Sequence, residues 1–251
     1  MFTEHRRVGT SPEMWADNFL GKQSVWQRVH RLRMRTDPRW QAIRRRVPRG
    51  AAVLDAGCGM GEWVEFLDSQ GYQATGLDYS EDLVKALSRA HPARRWLHGS
   101  VQAIPAADRS FDALVSWGVI EHDPEGPRAA LRDFFRVLKP GGWAFVSVPL
   151  DSPVQRTSSE RQFSEQRNGG DFFQYFFTRD ELADECRAVG FRVDGVDACS
   201  SHYALAFPDL YLRVIQARRP VQLAATAALN LYAKSRPDCA NMIMAVAQRP
   251  L

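Results

Sequence analysis

Residues 53–61, VLDAGCGMG, decide the fold of this chain. An apolar run leads into Asp55, three glycines then alternate with other residues, and residues 62–67 suit a helix. This order predicts a buried strand, a tight turn and the start of a helix. Glycine allows backbone conformations that a Cβ forbids and lets a ligand come close, while the first helical turn points free N–H groups at that ligand. The stretch therefore predicts a turn that binds a ligand.

A second feature lies at the distance that a nucleoside-binding unit requires. Residues 73–77 form a short strand pattern that ends in Asp78, 23 residues after Asp55. A carboxylate about 20 residues beyond a glycine turn is placed to accept hydrogen bonds from a ribose hydroxyl pair. Two cofactors compete: a nicotinamide dinucleotide, which favours G-x-G-x-x-G, and S-adenosylmethionine (SAM). This turn reads G-x-G-x-G. A third interpretation, which Asp78 disfavours, is that the glycines only relieve crowding.

The composition is that of an ordinary globular chain. It has 251 residues, of which 45% are hydrophobic and 25% are charged. Its four cysteines are widely spaced without a C-x-x-C pair, which argues against a zinc site or a disulfide framework and suits a reducing compartment. The first residues lack the apolar core of a signal peptide, and the apolar stretch 221–233 is too short and polar to span a bilayer. We therefore expect a cytoplasmic protein.

Positive charge is concentrated in the first fifty residues, which carry twelve Arg or Lys against four acids. One interpretation is an anionic partner such as RNA, a membrane surface or an acidic substrate. The other is a solvated helical face, because only four of the 33 basic residues are Lys and Arg is the usual cation of this chain. We favour the solvated face.

Strands and helices alternate from residue 51 onward, which predicts an α/β fold with a parallel sheet and right-handed crossovers. We expect one domain over 1–251. It comprises a helical N-terminal cap (1–50, with a helical pattern over 13–46), a lid or insert (150–177), and a helical insert before the last strand (205–235). The predicted strands are 51–56, 73–78, 94–98, 111–117, 142–149, 191–198 and 241–247, and the predicted helices are 60–70, 80–90, 127–138 and 179–189.

Four stretches together resemble the class I SAM-dependent methyltransferases, in the methyltransferase type 11 group. They are VLDAGCGMG, GLDYS (76–80), SFDALVSWGVIEH (110–122) and LRDFFRVLKPGGWAFVSVP (131–149). The resemblance covers about 50–190. It implies a Rossmann-like sheet of seven mostly parallel strands, with helices on both faces and an antiparallel C-terminal strand. SAM is the implied cofactor.

The resemblance also implies a set of cofactor-binding residues. Asp78 would bind the ribose hydroxyls, with Tyr79 against the adenine. Ser100 stands where the family has an Asp that accepts from the adenine amino group, and a neutral hydroxyl should make a weaker contact. Some relatives place an Arg near Arg31 on the methionine carboxylate. The remaining implied residues are Asp55, Gly57, Cys58, Gly59, Gly61, Val101, Gln102, Trp117 and Gly118.

On the acceptor side, His122 is the candidate general base, because imidazole titrates near neutrality. His202 and Tyr203 are alternate candidates for this role. A structural role for His122, with its ring hydrogen-bonded to a loop carbonyl, explains the sequence as well as a catalytic role does. Tyr175 and Phe176, in an aromatic segment after the polar lid, are expected to help wall the acceptor pocket. Ubiquinone-type O-methyltransferases carry a Glu at the position of Gly118 and use it around a metal. We therefore expect chemistry without a metal.

The leading function is methyl transfer from SAM to an oxygen or nitrogen of a small molecule, such as a metabolite, sugar or natural product. One alternative is RNA or protein methylation, which rests on the basic first fifty residues. It is disfavoured because 116–119 reads SWGV and is not an N-P-P-Y-type tetrapeptide. Another alternative is a SAM-binding protein without transfer activity.

Overall fold

The computed structural model describes residues 3–6, 34–152, 172–201 and 240–251, together with positions 225 and 228. Nine strands are named for these residues: β1 Thr3–Arg6, β2 Ala52–Ala56, β3 Gln73–Asp78, β4 Arg95–His98, β5 Phe111–Trp117, β6 Leu138–Pro149, β7 Phe172–Phe176, β8 Arg192–Ser201 and β9 Ala240–Gln248. The helices are α1 Pro38–Arg46, α2 Glu62–Ser69, α3 Glu81–Ala90, a 3-10 turn Ile120–His122, α4 Arg128–Val137 and α5 Arg179–Ala188.

Seven strands form one sheet in the order β4-β3-β2-β5-β6-β9-β8. Strands β2 to β6 are parallel, and β9 runs antiparallel to both of its neighbours. This confirms the predicted fold class. The chain moves outward from β2 to β4 and then crosses back to β5, so the strand order reverses between β2 and β5. In open parallel sheets, ligands bind at the carboxyl ends of the strands beside such a reversal.

Helices cover both faces of the sheet with separate apolar clusters. On one face, α4 and α5 bury Leu131, Phe134 and Leu182. On the other, α1 and α2 bury Ile43 and Phe66, and α3 packs in the same cluster. Strands β2 and β5 are therefore enclosed between two apolar layers, which explains why they read as nearly continuous apolar runs.

Several boundaries differ from the predicted ones for local reasons. Helix α3 begins at Glu81 because the Ser80 side chain accepts from the Leu83 N–H and caps the helix. Strand β6 begins at Leu138 instead of residue 142. Its first residues pair with Phe111, and Gly141 and Gly142 exchange backbone bonds with Arg249. The predicted turn at 139–142 is therefore part of the strand.

A second, two-stranded sheet pairs β1 with β7 in antiparallel register. The sequence did not predict β1. In the region predicted to be helical over 13–46, the described part shows α1 beginning at Pro38 with Asp37 as its N-cap. Residues 13–33, most of the lid and nearly all of 205–235 lie outside the described residues, as do Arg31, His202 and Tyr203. No described helix has both the length and the apolar character needed to cross a membrane.

Candidate functional site

The glycine turn between β2 and α2 is held in backbone conformations that favour glycine. Gly57, Gly59 and Gly61 have φ of +86°, +49° and +73°. A Cβ on Gly57 would lie 2.4 Å from a methyl carbon of Val119, and one on Gly61 would lie 2.5 Å from the Trp96 ring. A Cβ on Gly59 would meet nothing within 4 Å. Gly57 and Gly61 therefore allow close packing, whereas Gly59 leaves open space beside the backbone.

Asp78 at the end of β3 is fixed by the same turn. Its Oδ2 accepts from the Gly59 N–H at 3.0 Å, and its Oδ1 accepts from the Ser80 N–H at 3.0 Å. The N–H groups of Gly57 and Cys58 both donate to the Leu77 carbonyl, which ties the turn to β3. A carboxylate has about four lone-pair positions. Two of them therefore remain to accept hydrogen bonds from a ligand.

A cavity of about 600 Å³ opens at the carboxyl ends of β2, β3, β4 and β5. Ten of the predicted residues border it: Gly57, Gly59, Asp78, Tyr79, Ser100, Val101, Gln102, Trp117, Gly118 and His122. The sequence analysis missed eight others: Ser80, Leu83, Gly99, Val119, Asp123, Pro124, Phe172 and Phe173. Val119 and Asp123 flank predicted residues, and the aromatic run had already indicated a pocket wall near Phe172.

Three predicted cofactor residues, Asp55 before the turn and Cys58 and Gly61 within it, do not border the cavity. Asp55 is 1% exposed, and burial, with a smaller contribution from Asp78, raises its pKa to about 8. The Cys58 sulfur packs toward Gly76, and burial raises the pKa of this thiol strongly, so it is no nucleophile at neutral pH. Gly61 packs against Trp96. These residues support the turn by packing.

The loops after β4 and β5 are joined above the sheet. The Ser100 hydroxyl accepts from the Gln102 N–H at 3.1 Å, and the Gln102 amide donates to the Asp123 carboxylate. Ser100 already accepts one bond but keeps its O–H to donate and a second lone pair. The bond between Gln102 and Asp123 links two loops that border the cavity.

His122 connects the loop after β5 to β7. Its Nδ1 lies 2.7 Å from the carbonyl oxygen of Phe173, and the two rings are 5.0 Å apart. Because a carbonyl oxygen only accepts, Nδ1 carries the hydrogen, and the neutral ring has its lone pair on Nε2. Burial lowers the pKa of His122, against an opposing effect of the bond to Phe173. The ring is therefore neutral near pH 7 and able to take a proton.

Strand β7 does not present the predicted pair of residues to the cavity. Phe172 and Phe173 border it, whereas Tyr175 and Phe176 do not. The pairing of β7 with β1 shifts in register between His5 and Arg6. Residues of β7 at this shift therefore do not follow the usual alternation of faces along a strand. Phe176 is 3% exposed in the core, and the Tyr175 hydroxyl donates to the Pro124 carbonyl at 2.8 Å. Tyr175 therefore holds β7 against the loop.

Arg39, near the start of α1, is a cation that the sequence analysis did not single out. It makes an ion pair of 2.8 Å with Asp37, and its guanidinium lies 4.9 Å from the Trp63 ring centroid and 5.3 Å from that of Trp117. Trp117 borders the cavity. Through this stacking, α1 supports the wall of the cavity at the end of β5.

A family described as "Methyltransferase domain" matches residues 29–196. The chain belongs to the class I SAM-dependent methyltransferases. The predicted family is thereby confirmed, and SAM is the cofactor that this family uses. Among the residues in the described ranges, no group of three or more His, Cys, Asp or Glu side chains is placed to hold a metal ion.

Curated relatives of this methyltransferase resemble about half of its length. It is 32% identical over 130 residues to a Mycolicibacterium smegmatis protein named "Probable S-adenosylmethionine-dependent methyltransferase", covering 52% of this chain and 48% of that protein. It is 34% identical over 113 residues to a malonyl-[acyl-carrier protein] O-methyltransferase of Pectobacterium atrosepticum, covering 45% and 44%. The chain thus spans about half the length of these relatives.

A solved structure has a fold similar to that of this methyltransferase. Burkholderia thailandensis 1,6-didemethyltoxoflavin-N1-methyltransferase, with 1,6-didemethyltoxoflavin and S-adenosylhomocysteine bound, matches 100% of this chain and 95% of its own with a TM-score of 0.56. The two sequences are 16% identical, so the likeness concerns the fold alone.

Proposed function

We propose that this methyltransferase transfers the methyl group of SAM to an oxygen or nitrogen of a small-molecule acceptor, without a metal ion. The observation that carries the proposal is the cavity of about 600 Å³, which brings Asp78 and Gly59 together with a neutral His122. A volume of this size is within the range of small-molecule sites. Gly118 has no side chain at the position where the resemblance implies a metal-binding Glu in ubiquinone-type O-methyltransferases.

The residues on the β2–β4 side of the cavity fit SAM. Asp78 has lone pairs left for two ribose hydroxyls, and the open space at Gly59 admits a ligand close to the backbone. Tyr79, 46% exposed beside the cavity, and Val101 are proposed to flank the adenine. Ser100 is proposed to contact the adenine amino group. The proposed role of Arg31 concerns a residue outside the described part of the chain.

SAM supplies a sulfonium-activated methyl group that needs no further activation. The task left to this chain is to align the acceptor, exclude water and take a proton where the acceptor carries one. We assign the proton to Nε2 of His122, whose tautomer is set by the Phe173 carbonyl. His202 and Tyr203 remain alternates. One curated relative is an O-methyltransferase and one structural neighbour is an N1-methyltransferase, which supports an oxygen or nitrogen acceptor.

Phe172 and Phe173 are proposed to bind the apolar part of the acceptor. They border the cavity next to His122, and aromatic walls with a few polar groups are typical of small-molecule sites. Tyr175 and Phe176 would contribute indirectly, since one anchors β7 to Pro124 and the other packs in the core.

A donor-turnover screen tests this proposal. S-adenosylhomocysteine release is measured with pooled sugars, phenols, amines, carboxylic acids and RNA, and the best hit is repeated from 50 to 200 mM salt. Small-molecule turnover that tolerates salt is expected. Turnover with RNA alone that collapses with salt would contradict the proposal, because lost phosphate contacts make nucleic-acid affinity salt-dependent. SAM binding without turnover in any pool would favour the binding-protein alternative.

A further inference from the structure

Glu121 is a buried carboxyl group next in sequence to the proposed base. It lies in the 3-10 turn after β5, is 2% exposed, and its Oε2 has no hydrogen-bond partner among the residues that the structure describes. A Cβ built on Gly118 would lie 3.3 Å from its Oε1 and 3.6 Å from the Met242 methyl carbon. The carboxyl group is thus buried beside Gly118 at the end of β5.

A buried carboxyl group of this kind lowers the stability of the fold, so packing alone does not explain why Glu121 stands at this position. A buried acceptor without a partner loses its hydration and gains nothing, whereas an apolar side chain of similar size would avoid that cost. Burial raises the pKa of Glu121 to about 8, so the carboxyl is largely neutral at pH 7 and ionises just above it.

The carboxyl group is close to the reactive nitrogen of His122. The Oε1 of Glu121 lies 4.0 Å from Nε2, the nitrogen that carries the lone pair when Nδ1 donates to Phe173. At 4 Å an ionised carboxylate favours a protonated imidazole, because opposite charges at this distance attract each other.

We propose, building on the proposed function, that Glu121 is a positioning residue for His122 whose carboxylate stabilises the imidazolium formed when Nε2 takes the acceptor's proton. In that step the acceptor's lone pair bonds to the methyl carbon, and the bond between that carbon and sulfur breaks with its electrons going to sulfur. The acceptor's proton moves to Nε2. The imidazolium in turn favours loss of the Glu121 proton to solvent, which leaves an ion pair.

Other ionisable groups near the pair are already engaged. Asp123 accepts from the Gln102 amide and from the Glu125 N–H, and the Tyr175 hydroxyl of β7 donates to Pro124. Asp78, which borders the same cavity, accepts from two backbone N–H groups. On the β9 side, the side chain within 4 Å of a Cβ built on Gly118 is that of the uncharged Met242. Glu121 is therefore the group expected to respond to His122 above pH 7.

The test is an NMR titration of the His122 ring in the full chain, from pH 5 to 9.5, with its signals identified by their loss in His122→Asn. In the wild type we expect a second step with an apparent pKa of about 8, when the carboxyl group ionises. Glu121→Gln should abolish this step, and Glu121→Asp should retain a weaker one. Asp123→Asn is the matched control and should leave the step in place.

The rate provides a second readout. With the best acceptor from the screen, the wild-type kcat should rise about threefold or more through the same pH range, and Glu121→Gln should lack that rise. A wild-type His122 titration without the second step, or one unchanged in Glu121→Gln, would overturn the inference even if turnover is observed. A chain that shows the step but turns over no acceptor would instead refute the proposed function and leave the coupling of the pair established.

Discussion

The two sides of the cavity are built in different ways. The glycine side, residues 57–61 and 78–80, is held by short-range contacts: Asp78 accepts from residues 19 and 2 positions away. The histidine side, residues 118–124 and β7, is held by contacts across 51 positions, from His122 to Phe173 and from Tyr175 to Pro124. The first side is a local turn, whereas the second depends on how distant parts of the chain come together.

Their buried carboxyl groups differ in the same way. Both oxygens of Asp78 accept hydrogen bonds from backbone N–H groups. Glu121 has an oxygen without a partner among the described residues, and its neutral form is favoured. The glycine side therefore holds the Asp78 carboxyl group in a fixed position for binding, while the histidine side is suited to a change of charge during a reaction. The first three predictions below test whether the two sides are separable in this way.

The largest effect is expected from His122→Asn. The amide retains an N–H donor for the Phe173 carbonyl but has no basic nitrogen, so methyl transfer should fall at least about tenfold. SAM affinity, which depends on the glycine side, should stay within twofold. His122→Ala also removes the bond to Phe173 and should additionally raise the KM of the acceptor. Turnover of His122→Asn within twofold of wild type would remove His122 as the base.

Gly57→Ala tests the point where the two sides touch. Its φ of +86° strains any other residue, and its Cβ would collide with Val119. We expect a loss of about 2–5 kcal/mol in the free energy of unfolding, from the left-handed backbone and overpacking together. Gly59→Ala, with φ of +49° and open space, should lose only about 1–2 kcal/mol. Urea unfolding measures both, and equal losses would contradict the packing role of Gly57.

The smallest effect is expected from Tyr175→Phe, which removes the bond from β7 to Pro124. The KM of the acceptor should rise roughly 2-fold to 5-fold, the effect of one modest hydrogen bond, with SAM affinity unchanged. Tyr72→Phe is the matched control, because it also removes a hydrogen bond from a tyrosine hydroxyl to a backbone carbonyl, that of Val47. Neither Tyr72 nor Val47 borders the cavity. Steady-state kinetics would contradict this assignment if both variants raised the acceptor KM equally.

The glycine side was largely predictable from the sequence. The alternating glycines, the apolar run before Asp55 and the spacing to Asp78 are local features with a direct backbone meaning. The parallel sheet followed from the alternation of strands and helices, and its seven strands with an antiparallel C-terminal strand followed from the family resemblance. The spacing did not show which residues of the motif support the turn by packing. The contact of Gly61 with Trp96 and the burial of Asp55 are known only from the folded structure.

The histidine side was only partly predictable. The aromatic run predicted a wall near the cavity, but the choice of Phe172 and Phe173 depends on a register shift against β1. Strand β1 has four residues and pairs with β7 about 170 positions away, so no local sequence pattern predicts it. The absence of a hydrogen-bond partner for Oε2 of Glu121 among the described residues likewise depends on the fold, because a Glu-His pair in a sequence does not show whether the carboxyl group is buried.

The most direct test of the central claim, that this cavity is the SAM site of a methyltransferase, is calorimetric titration of the wild type and Asp78→Ala with SAM. We expect the wild type to bind SAM in preference to NAD. Asp78→Ala should weaken SAM binding by about 1.5–3 kcal/mol, or roughly 10-fold to 150-fold, because charge-assisted bonds to the ribose are lost. Asp82→Ala, which removes an exposed carboxylate from the first turn of α3, should bind SAM as the wild type does. Undiminished SAM affinity in Asp78→Ala, or a wild type that prefers NAD, would contradict the account.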